Sequence, residues 1–125
     1  MSASSNERGA VFDSEYDDMG TLSIDELKDS LERDIRQNRL RAAMWSAKAA
    51  AHRKTAEFHR LRADVWAADS APDQAEIEND LTYARWEDET AIHCDRRAEE
   101  ARELAAEQAD DMHRVLTEYA SSDNE

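Results

Sequence analysis

Ala63-Asp64-Val65-Trp66-Ala67-Ala68-Asp69-Ser70-Ala71-Pro72-Asp73-Gln74-Ala75-Glu76-Ile77 contains the only proline of the chain, and the fold turns on how it is read. Upstream, good helix formers run without a breaker from Ser23 to Asp69. Downstream they resume and continue to about Tyr119. Proline is tolerated in the first turn of a helix but not deeper. The stretch therefore predicts one reversal near residue 70. Ser70 is the expected cap of the second helix, with Pro72 in its first turn and Asp73 at its positive end. A short connection makes the two helices antiparallel neighbours.

The first helix has its own start signal, the capping box Ser23-Ile24-Asp25-Glu26, with Leu22 placed to staple onto Leu27. The expected organisation is a flexible acidic arm over 1–22, helices over about 23–69 and 71–119, and a disordered tail over 120–125. The arm spaces Val11, Phe12, Tyr16 and Met19 among acids, which suits a short docking segment as well as a plain tail.

Two lines of period seven specify how the helices meet. One reads Ile35, Ala42, Ala49, Ala56, Ala63; the other reads Ile77, Ala84, Ala91, Ala98, Ala105, Met112, Tyr119. Folding the chain at residue 70 sets Ala42 opposite Ala98, Ala49 opposite Ala91, Ala56 opposite Ala84 and Ala63 opposite Ile77. Small residues facing small residues allow close backbone approach, and an unbroken seven-residue repeat predicts left-handed supercoiling. The expected fold is all-α: a long, coiled-coil-like antiparallel hairpin with an alanine-rich seam, completing a four-helix bundle by dimerisation.

A neighbouring line reads Ile24, Leu31, Asn38, Trp45, His52, His59, Trp66. Across the same bend it sets Ile24 on Val115, Trp45 on Cys94, His52 on Glu87 and His59 on Asp80. Each histidine meets a carboxylate able to hold it by a charge-assisted hydrogen bond. Such pairs can fix the register or make the hairpin respond to pH.

A second apolar line of the first helix has no place in that seam. Leu40, Met44, Ala47, Ala51, Phe58, Leu61, Val65 and Ala68 lie well round the helix, separated from the seam by Arg41, Lys48, Thr55 and Arg62. An uncovered stripe of this length exceeds what monomers normally expose. It is the expected self-association surface; Trp86, Tyr83 and His113 flank the alanine seam, as partial cover for it or as oligomer contacts.

The chain has 125 residues, with 30 acids against 16 Lys and Arg and a net charge of −14. The bases concentrate in the first helix (Arg33, Arg36, Arg39, Arg41, Lys48, Arg53, Lys54, Arg60, Arg62), while the second helix is strongly acidic. Folding back neutralises much of the basic field, so nucleic acid, through Arg36, Arg39, Arg53 and Arg60, is not the expected partner. The expected partners are a second copy and another protein. No apolar run approaches the ~20 residues of a membrane span, and Met1–Ala10 lacks a signal-peptide core, which points to the cytoplasm.

Chemistry is sparse. Cys94 is the only cysteine, so no intrachain disulfide or multi-thiolate zinc site forms. Gly9 and Gly20 stand alone, without a phosphate-cradling loop. Glu89 and His93, with His52 across the seam, are the nearest approach to a metal set. Their ExxxH spacing differs from the ExxH that di-iron bundles take from two of their helices. No metal, no cofactor and no enzymatic activity are expected.

Tyr119-Ala120-Ser121-Ser122-Asp123 follows the hairpin and Trp66 precedes the bend. In these the chain resembles the small helical hairpins of the WXG family, whose Tyr-x-x-x-Asp/Glu signal follows the second helix. The resemblance implies a substrate of type VII secretion, exported without a signal peptide. The sequence departs from that pattern at Trp66-Ala67-Ala68, which lacks the glycine, and Tyr83…Glu87 repeats the signal within the helix. The residues themselves point to a non-enzymatic interaction module, acting in assembly or as a small regulator that binds another protein.

Overall fold

A computed structural model describes residues 23–123, and these are all-helical. Helix α1 spans Ile24–Ala67 and helix α2 spans Gln74–Asp123, packed as a hairpin. The arm residues Val11, Phe12, Tyr16 and Met19, and positions 124 and 125, lie outside the described residues.

The capping box closes α1 reciprocally. Ser23 Oγ accepts from the Glu26 amide at 3.1 Å, and the Ser23 amide donates to Glu26 Oε1 at 3.3 Å. The bend differs in detail from the sequence expectation. Asp73, not Ser70, caps α2: its Oδ1 accepts from the amides of Ala75 and Glu76 at 3.1 and 3.3 Å. The cause is Pro72, which disfavours helical geometry at the residue before it and so excludes Ala71 from the first turn. Ser70 instead donates to Asp69 at 3.4 Å. At the other end α2 continues through Ala120 to Asp123, since Ala120-Ser121-Ser122 contains no breaker.

The hairpin comprises two compact units. In Ile35–Glu107, which holds the bend, both alanine columns are buried. Ile35, Ala42, Ala49, Ala56 and Ala63 line α1, and Ala84, Ala91, Ala98 and Ala105 line α2. A buried methyl stabilises by only about 0.8 kcal/mol. The columns therefore act chiefly by leaving little side chain between the two backbones, which permits close approach of the helices. Larger side chains shield the seam from its edges. Trp45 packs against the Ala49, Ala91 and Cys94 cluster, with Lys48 Nζ over its ring at 4.8 Å and Arg97 over it at 5.2 Å.

The second unit contributes 23–34 and 108–123 to the described chain. Ile24, Leu27, Leu31, Met112, Val115 and Leu116 are only half-buried, and none of its described side chains is fully buried.

Candidate interaction face

Three kinds of contact decorate the seam of the Ile35–Glu107 unit. Along one edge, residues one heptad apart on each helix form a ladder. Arg102 donates to Ser46 Oγ at 3.4 Å, and Arg53 pairs with Asp95 and Arg60 with Asp88. Sequence reasoning missed these rungs, although the signal was there: Arg53 and Arg60 are seven apart, as are Asp88 and Asp95. Of the four cations that could face nucleic acid, Arg53 and Arg60 are thus already engaged. Arg36 and Arg39 have no ion pair among the described residues.

On the seam itself, His52 Nδ1 donates to Glu87 Oε2 at 2.6 Å and His59 Nδ1 to Asp80 Oδ1 at 3.0 Å. The two sites differ in depth. His52 and Glu87 keep about a third of their side-chain surface in water, whereas Asp80 is fully buried. The burial is offset by a partner that the sequence did not reveal. Arg62 approaches Asp80 from the adjacent row and holds both carboxylate oxygens. The Arg62 guanidinium brings the Asp80 carboxyl down to about 2; burial opposes the shift and His59 adds to it. Arg53 likewise lowers Asp95.

Around this anchor runs a chain of rings. His59 stacks on Tyr83 at 5.3 Å, Phe58 meets His59 edge-on at 5.5 Å, and Tyr83 meets Trp86 edge-on at 5.7 Å. Arg62 lies over the Phe58 ring at 5.6 Å. An aromatic bridge therefore leads from the outside of α1 to the outside of α2, where Trp86 is also exposed.

The outer stripe of α1 is open to solvent. Leu40 is 63% exposed, Phe58 55% and Val65 69%, with Met44, Leu61, Ala47 and Ala51 exposed as well. Its positions advance by alternating steps of four and three from Leu40 to Val65, broken in identity only by Lys54. That is the spacing of a coiled-coil seam, displaced to the side of α1 away from the alanine column. Ala68 falls beyond the helix, in the bend.

Glu89 and His93 line an open hollow on α2 with Trp86, Ile92 and Arg96, while His52 is held at Glu87. Among the described residues no three His, Cys, Asp or Glu side chains converge on a point where a metal ion could sit. Cys94 is buried in the seam. No described helix is long and apolar enough to cross a membrane. Comparison with family models, with curated proteins and with solved structures gave no match to this chain.

Proposed function

We propose that this chain is a non-enzymatic interaction module that self-associates through the outer stripe of α1. Two copies together form a four-helix assembly that serves as a scaffold part or as a regulator of another protein. The observation that carries the reading is the four-three row of exposed apolar side chains from Leu40 to Val65. A helix whose one side is already satisfied by the alanine seam has no intrachain use for a second seam. The ladder of cross-helix ion pairs supports the same reading, because it leaves Arg53 and Arg60 matched within the hairpin before any partner arrives. The acidic second helix remains available to a basic partner.

Sedimentation equilibrium of the purified chain tests the proposal. A dimer is expected at micromolar concentration, and Phe58→Asp should weaken it at least 30-fold, roughly the effect of losing one interface hot spot. A wild-type chain that sediments as a monomer at 100 times that concentration refutes the reading. Helical content by circular dichroism should be unchanged in Phe58→Asp, since Phe58 lies outside the alanine seam.

A further inference from the structure

Resting on self-association, we propose that two α1 helices pair antiparallel, with the two-fold axis crossing the stripe between Ala51 and Lys54. Read about that axis, the stripe mirrors in size at its ends and sets large against small in its middle. About that axis, Leu40 meets Val65 of the second copy, Met44 meets Leu61, Ala47 meets Phe58 and Ala51 meets Lys54, and by symmetry the reverse. Every exposed position from Leu40 to Val65 then has a counterpart, and the largest side chain, Phe58, enters the space left by an alanine. Shifting the overlap by one heptad in either direction leaves two positions at one end of each stripe uncovered.

Charge decides between this arrangement and a parallel one. Parallel pairing in register places Lys54 against its own copy in the middle of the apolar contact, two like charges in a drying interface. Antiparallel pairing lays the Lys54 stem over the Ala51 methyl and lets the ammonium reach water. A parallel pair gains a Glu57–Arg62 contact on each side, but Arg62 is already committed to Asp80, and exposed pairs count for little in water. The area suffices for a stable contact. Half to two-thirds exposure of five large side chains supplies on the order of 100 Å² each, so with the alanines the two copies bury on the order of 1,200 Å², above the ~1,000 Å² a specific interface needs. Because the stripe lies away from the alanine seam, the two α1 helices occupy the middle of the assembly and the acidic α2 helices its outside. That placement keeps the two most negative elements apart.

Pulsed electron paramagnetic resonance on the full chain tests the orientation. In a Cys94→Ala background, nitroxides are placed at Arg39→Cys in one sample and at Ala50→Cys in another; both native side chains are exposed. At 1.5 Å per residue, antiparallel pairing about this axis separates the two copies of position 39 by about 40 Å and brings the two copies of position 50 within about 20 Å. That pattern supports the proposal. Short distances at both sites mean a parallel dimer, which overturns the orientation and leaves self-association standing. A long distance at position 50 means that another face pairs, which overturns the interface. Absence of any intermolecular distance, together with a monomer by sedimentation, overturns both.

Discussion

Arg62 holds both oxygens of the Asp80 carboxylate, through Nε at 3.1 and 3.0 Å and through Nη2 at 2.7 Å. The aspartate has no solvent exposure, so the guanidinium and His59 replace the water it has lost. This three-residue knot sits next to the bend and ties the two helices where the chain reverses. A buried carboxylate without such partners would be neutral or would open the hairpin.

The knot predicts an acid-sensitive stability. The Asp80 carboxyl titrates at about 2 when folded, against 3.8 ordinarily. A folded value below the unfolded one means that the stabilisation is fully present above about pH 4 and fades as pH falls toward 2. Urea midpoints measured from pH 5 to pH 2 should drop through this window. Asp80→Asn should flatten the drop and leave the smaller contribution of Asp95, which Arg53 also lowers. An unchanged acid limb in Asp80→Asn would show that the knot does not set it.

Capping separates Asp73 from Ser70. Asp73→Ala removes the acceptor for two amides and should cost about 1 kcal/mol, whereas Ser70→Ala should stay within about 0.5 kcal/mol. Urea denaturation of both variants measures this, and equal losses would contradict the assignment of the cap.

The seam should reject bulk. Ala91 has no exposed surface, and Ala91→Leu should destabilise by about 1–3 kcal/mol through forced separation of the helices. Ala50→Leu, on an exposed position, should be close to neutral. If Ala91→Leu were accommodated without loss, the tight approach argued for the alanine columns would be wrong.

Amide exchange should divide the chain. Residues 24–34 and 108–121 lack fully buried side chains and should exchange at least tenfold faster than the amides of Ile35–Glu107 near Ala49 and Ala91. Mass-resolved hydrogen exchange over minutes to hours reads the contrast directly.

Much of this architecture is legible in the amino-acid sequence. Spacing by sevens identified the alanine columns, and folding at the proline placed His52 near Glu87 and His59 near Asp80, because alignment of two straight helices needs only a bend position. The capping box at Ser23 was equally plain, being a local pattern. What escaped the sequence were contacts that depend on side-chain reach. Arg62 sits in a row flanking the seam, and its long stem brings the guanidinium back to Asp80 in a way no column of residue numbers encodes. The same is true of the Lys48 and Arg97 side chains that lie over the Trp45 ring. The cap at Asp73 was missed for a different reason: the restriction that a proline imposes on its predecessor outweighed the intrinsic preference of Ser70.

The bend has one more implication, for how the molecule accepts change. Residues 68–73 are exposed throughout, and register is dictated by the interlocked arms. A glycine-serine insert there costs only loop entropy, about 0.6 kcal/mol for each doubling of length. A single extra residue inside either arm, by contrast, rotates everything beyond it by about 100° and sends its half of the zipper to the wrong side. Tags, fusions and reporter domains therefore belong at the hinge of this molecule, where length is forgiven and phase is not disturbed.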